Sequence, residues 1–217
     1  TLILGSRLSG RAFYVTSTLV IVELLIPFFL AFEGRRPQAR ELVVLAVMCA
    51  LAVAGRVAIP IPSFKAIFGI IMIAGIAFGP ESGFLVGAIS ALASNFFYSQ
   101  GPYTPWQMMA YGAGGMLAGF VFARGRLPRK PVIMGIFGFL AVTFFVGPLL
   151  DTCSVFLVMS RITLKGAMAF YISGFPVNLR QAVATAIVLL VLGNPLLEKL
   201  DRIKTKYGIL DDGGKEA

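Results

Sequence analysis

The chain has 217 residues, 58% of them hydrophobic and only 13% charged, with a net charge of +9. Soluble domains carry about 25% charged residues, so a water-soluble globule is excluded and lipid is the expected solvent. A bilayer core takes about 20 mostly apolar residues per spanning helix, which leaves room for six or seven spans and none for a soluble catalytic domain.

In chain order the apolar runs cover 12–32, 41–58, 66–79, 83–98, 107–123, 132–150 and 177–197, and they predict seven helices. The chain starts at Thr1 without Met and shows no basic, apolar, small-residue order of a cleavable leader, which leaves open a start upstream. The first run holds Glu23, with Pro27 a turn later. An acid at such depth is costly, so it reads either as a polar contact to a neighbouring helix or as a proton or ion site. The second run carries Ala46, Ala50 and Ala54 at every fourth position. Runs three and four are short, and the turn residues Gly79-Pro80-Glu81-Ser82 between them predict a tight helical hairpin held fully in the membrane. Two more small-residue stripes follow, Gly83, Gly87 and Ala91, then Gly115, Gly119 and Ala123. Such spacing lets helix backbones approach closely where lipid supplies no hydrophobic drive. Each stripe reads as packing inside the bundle or as a surface for another membrane protein, and the alanine stripe is the one expected to meet a partner. The stretch 151–176, interrupted by Arg161 and Lys165, reads as a long outer loop with a lipid-facing or pocket-facing segment. Cys49 and Cys153 have no CxxC spacing and carry no redox message.

Basic residues fall in alternate connections between the runs and not along an amphipathic face, so they read as topology signals and not as a nucleic-acid surface. The connections 33–40, 124–131 and 198–206 hold eleven of them: Arg35, Arg36, Arg40, Arg124, Arg126, Arg129, Lys130, Lys199, Arg202, Lys204 and Lys206. The opposite connections hold only Arg56, Lys65, Arg161 and Lys165. Lys- and Arg-rich loops stay cytoplasmic, which places the C-terminus inside the cell. The outer loop from Tyr98 to Gln107 has no charge and three aromatic residues. That mixture suits an uncharged or bulky organic ligand, and equally an aromatic belt at the headgroups. Arg56 and Arg180, near the outer helix ends, either snorkel or meet an anionic ligand group. No GxxxxGK[ST] segment and no His occur, so ATP binding through a P-loop, HExxH metal sites and His-based triads are absent. No catalytic residue, no metal site and no intrinsic cofactor are expected.

Three segments carry a resemblance: ARELVVLAVMCALAVAGR at 39–56, IAGIAFGPESGFLVGAISALASNFFYSQGPYTPWQM at 73–108, and SGFPVNLRQAVATAIV with LEKLDRIKTKYGIL near the end. From about Ala39 to Leu210 the chain resembles the S components of energy-coupling factor (ECF) transporters, small vitamin-binding membrane subunits. The resemblance implies an all-α integral membrane protein: an extra N-terminal helix and basic loop at 1–38, a six-helix core at 39–206, and a polar cytoplasmic tail at 207–217. It implies a multi-pass protein of the bacterial cell membrane that binds a vitamin at the outer face. The partners implied are an EcfT-type coupling subunit, contacted through Ala46, Ala50 and Ala54, and two EcfA-type ATPases that use the ATP. Ligand contacts are expected in the family's outer loops, at Phe64, Lys65, Asn95, Tyr98, Gln100, Tyr103, Trp106, Gln107, Arg161 and Tyr171. The segment Gly101-Pro102-Tyr103-Thr104-Pro105-Trp106-Gln107 is most similar to the cobalamin branch, and the short outer loop 57–65 suits so large a ligand. The run 12–32 departs from smaller members, so Glu23 inherits no role from them. A stand-alone secondary carrier or channel for a small organic solute is the competing class, and a scaffold protein without a ligand is the third.

Overall fold

The structure is a computed structural model that describes residues 11–34, 38–59, 61–123, 125–159 and 162–208, with the side chains of 11–17, 20, 24, 28, 31 and 32 outside the description. Among the described residues all regular structure is helical: α1 (Arg11–Gly34), α2 (Ala39–Val57), α3 (Ile67–Phe78), α4 (Pro80–Tyr98), α5 (Thr104–Phe122), α6 (Pro131–Val158) and α7 (Leu164–Tyr207). Proline opens α4, α5 and α6, where its missing N–H costs nothing and its fixed φ suits a first turn. By length and hydropathy α6 and α7 qualify as membrane-crossing segments. Large apolar side chains such as Val43, Phe96, Phe144, Ile172 and Val191 are exposed around the bundle, a surface that water would penalise and lipid would cover.

The hairpin expected at residues 79–82 is present and turns on Gly79 alone, whose φ of 94° only glycine adopts cheaply. The arm α3 rises about 18 Å at 1.5 Å per residue, shorter than a bilayer core, and all twelve of its residues are buried. It is the axis of the bundle, with neighbours on every side. Close approach makes this possible. A Cβ on Gly75 would lie 2.1 Å from the Gly115 carbonyl oxygen, and one on Gly83 would lie 2.5 Å from that same oxygen. One on Gly87 would lie 2.4 Å from the Tyr111 carbonyl oxygen, and one on Gly119 would lie 2.5 Å from Pro80 N. The stripes on α4 and α5 therefore face each other inside the bundle.

At the opposite end of α3 from Arg56, two cations close its C-terminus. Arg129 Nη2 donates to the Ile76 carbonyl at 3.2 Å and Lys204 Nζ to the Ala77 carbonyl at 2.6 Å. These are two of the last four carbonyls, which have no partner within the helix, at the negative pole of its dipole. Asp201 bridges the pair, 3.4 Å from Arg129 and 3.9 Å from Lys204. Two residues that read as topology signals thus also tie α3 to α7. Lys204→Met is expected to cost about 1 kcal/mol, since a charge-assisted bond to a partly exposed donor is lost. An unchanged melting temperature for the purified variant would remove the clamp from the account.

The outer loop expected at 151–176 is not a loop. Helix α6 runs on to Val158 and α7 starts at Leu164. Pro148 would clash with the carbonyl four residues back, and α6 accommodates it by widening into a π turn at Val142–Val146, where Gly147 N reaches Val142 O. Helix α7 continues through Pro176 and Pro195 for 44 residues, about 66 Å, so it outreaches any bilayer core. Its first turns are held by α6: Asn178 Nδ2 donates to Asp151 Oδ2 at 2.7 Å, and Gly174 leaves the room that Asp151 occupies. Helix α1 packs Ile21, Leu25 and Phe29 against Phe84 in a separate apolar cluster, and Glu23 lies on its exposed side.

Candidate functional site

Helices α2 and α4 run parallel, with Glu41 near Ser82 at one end and Arg56 near Asn95 at the other. Helix α5 runs back against α4 and brings Thr104 and Gln107 to that same Asn95. One end of the bundle therefore collects polar side chains from three helices around a residue with no exposed surface. Asn95 Oδ1 accepts from Arg56 Nη1 at 3.0 Å, while its Nδ2 donates to Thr104 Oγ1 at 3.1 Å and Gln107 Oε1 at 2.8 Å. The same Arg56 nitrogen donates to Ser94 Oγ. Thr104 Oγ1 in turn donates to Gln100 Oε1 at 2.9 Å and accepts from Gly101 N at 3.2 Å. Buried polar groups are tolerated only when joined in this way.

The loop between α4 and α5 is fastened as tightly. Ser99 holds a φ of 82°, a conformation that costs a non-glycine residue about 1–3 kcal/mol. Tyr103 Oη donates to the Ser99 carbonyl at 2.8 Å and Gln100 Nε2 to the Leu92 carbonyl at 3.0 Å, and these bonds hold the turn in place. Strain kept in this manner concentrates at ligand clamps.

Arg56 points into this end of the bundle. Its Cζ lies 5.0 Å from the Tyr98 ring centroid and 5.6 Å from that of Tyr111, within cation–π range of both. Tyr98 Oη donates back to the Arg56 carbonyl at 3.0 Å. Tyr111, only 4% exposed, is braced by Phe68 edge-on at 4.6 Å. On the flank of α6 the Trp106 ring stacks on Phe156 at 5.4 Å, and its buried Nε1 has no hydrogen-bond partner among the described residues. A buried indole N–H normally finds an acceptor, so this donor is available to a ligand or water. Tyr171 on α7 shares a 2.8 Å hydrogen bond with Thr152 on α6.

The expected contacts divide accordingly. Asn95, Gln100 and Tyr103 spend their polar groups on cross-linking the loop to the helices, which makes them supports. Gln107 uses only its carbonyl oxygen in the network. Lys65 bonds the Ile59 carbonyl of its own loop, next to Phe64, whose N–H donates to the Ile61 carbonyl at 3.3 Å. Arg161 lies outside the described residues. Arg180 is exposed and folds back onto the Pro176 carbonyl. Ser94, Thr104, Tyr111, Thr152 and Phe156 were not among the expected contacts: Ser94 and Tyr111 read as ordinary members of apolar helices, while Thr104, Thr152 and Phe156 fell in stretches read as outer loop.

The alanine stripe behaves unlike the glycine stripes. Ala46, Ala50 and Ala54 all lie on the exposed side of α2, while Leu45, Met48, Cys49 and Ala52 face the core. A smooth row of small side chains is thus presented outward along the helix that ends at Arg56.

Neither a curated protein nor a solved structure gives a match to the chain. A family model described as the ECF-type riboflavin transporter, S component, matches residues 37–198, about three quarters of the length, spanning α2 to most of α7. With its helices wrapped in exposed apolar surface, the chain belongs to the S components of energy-coupling factor transporters, and is a membrane transport protein.

Proposed function

We propose that the chain captures a vitamin at the Arg56 end of the bundle and passes it inward while docked on an EcfT-type coupling subunit powered by two EcfA-type ATPases. The observation that carries this reading is the polarity of the molecule along its axis. One end holds the fastened network of Arg56, Asn95, Thr104 and Gln107. The other holds Arg126, Arg129, Lys130, Lys199, Arg202 and Lys204, the signature of a cytoplasmic face. The chain itself hydrolyses nothing in this scheme, and the C-terminus is cytoplasmic. A proton-coupled carrier is less well supported, because Glu23 lies on the exposed side of α1 and not in the polar network.

Two vitamins come forward, each with its own support. Cobalamin is favoured by the Gly101–Gln107 segment and by the short outer loop 57–65, where Phe64 and Lys65 bond carbonyls of the loop itself and which leaves little cover over a ligand. Riboflavin is favoured by the description of the matching family model. Thermal unfolding of the purified protein with riboflavin, cobalamin and other vitamins separates them. A ligand at 100 times its Kd stabilises the fold by about 2.7 kcal/mol, a shift of several degrees. Absence of a shift across the panel would leave the importer reading without a substrate.

A further inference from the structure

Arg56 is the one charged side chain in the polar network, and its surroundings do not balance it. Every hydrogen bond it makes among the described residues leaves from Nη1, toward the neutral acceptors Ser94 and Asn95. Among the described residues no carboxylate pairs with it; Asp201 pairs with Arg129 and Lys204 at the opposite end of the bundle. Two tyrosine rings flank the guanidinium, and its nearest acceptors belong to residues with no exposed surface. A snorkelling arginine would turn its head outward to the headgroups; this one is turned inward and bonded to the core. Cationic groups held at membrane depth are normally paired, and a guanidinium offers five donors in a planar fork suited to carboxylate or phosphate oxygens. Here most of that fork is unspent.

We infer that the missing counter-charge arrives with the ligand: the vitamin presents a negatively charged oxygen group, of the carboxylate or phosphate class, to the free edge of Arg56. The inference rests on the Arg56 end being the vitamin site, and it adds a charge requirement that the uncharged 98–107 loop concealed. Tyr98 and Tyr111 hold the guanidinium plane, and Asn95 and Ser94 fix its rotation, so the unspent edge is pre-oriented for an anion. A phosphodiester-bearing corrinoid meets this requirement. A flavin without its phosphate does not.

The test uses matched ligands that differ in this group, cobalamin against cobinamide and FMN against riboflavin, titrated onto the purified full chain and onto Arg56→Gln and Arg56→Lys. The wild type is expected to prefer the phosphate-bearing member of the pair it binds by at least tenfold. Arg56→Gln should bring that ratio to about one, through a loss for the phosphate-bearing member much larger than any for the phosphate-free one, and Arg56→Lys should keep part of the preference. Melting temperatures of the unliganded variants establish that they are folded. Binding by the wild type without preference, or an equal loss for both members in a folded Arg56→Gln, overturns the charge requirement alone. No binding of any of the four, with another vitamin bound in the wider panel, overturns it if that vitamin is neutral or cationic. No vitamin binding at all brings down the parent reading and this inference with it.

Discussion

Gly115→Leu is expected to yield no folded protein. Gly115 sits where α3, α4 and α5 meet: a Cβ there would lie 2.3 Å from the Gly83 carbonyl oxygen and 2.8 Å from Ile71 Cγ2. The first obstacle is backbone, which cannot rotate away as a side chain could. The carbonyl of Gly115 in turn occupies the space in front of Gly75 and Gly83, so separating one contact opens the others. Overpacking of a tight core usually costs about 1–3 kcal/mol, and here three helices would have to move apart against a total stability of about 5–15 kcal/mol. The intermediate Gly115→Ala should survive with a clearly lowered melting temperature. Gly34→Ala is the control, because a Cβ at Gly34 meets nothing within 4 Å among the described residues. Expression in membranes followed by size-exclusion of the solubilised protein reads the result. A monodisperse, normally melting Gly115→Leu chain would show that the three helices do not pack as described.

The second large effect is expected on assembly and not on folding. Ala46→Trp with Ala50→Trp should abolish co-purification with the coupling subunit and ATP-dependent uptake, yet leave vitamin binding unchanged. Both alanines are exposed on α2, so the two indoles project from the surface of the bundle and not into its core, and the fold should tolerate them. Small side chains at every fourth position let a partner helix approach to backbone distance, and an indole at the centre of such a seam holds the helices apart. The expected loss is complete, because a seam without hydrophobic drive from water has little energy to spare. The contrast with Gly115 is the useful part: one substitution removes the protein, the other removes only its partner. Intact complexes from the double variant would move the docking surface elsewhere.

Much of this architecture is legible in the amino-acid order, because the dominant signals are local. Apolar runs report helices directly when the solvent is lipid, and Gly79-Pro80 reports a turn because few other residues adopt that backbone. The seven runs accordingly correspond one to one with α1–α7, with the largest errors where α6 and α7 extend through 151–176. That stretch misled because Arg161 and Lys165 interrupt its apolar run. In the folded chain Lys165 lies on a helix whose outer turns are exposed and which is bonded to α6 through Asp151 and Asn178. Pro148 gave no hint that a π turn would absorb it.

Composition and spacing alone determined that the chain lives in lipid, that it is helical, and that small residues recur where helices meet. Tertiary structure decided which stripe does what. Ala46–Ala50–Ala54 and Gly115–Gly119–Ala123 have the same period, and period reports only that residues share a face, not what that face touches. The packing of α4 on α5 consumed the glycine stripes and left the alanines uncovered. It also decided the character of the site. An uncharged loop at 98–107 and a lone Arg56, some forty residues apart, became one cluster only because parallel α2 and α4 end at the same level, which no local pattern in either segment encodes.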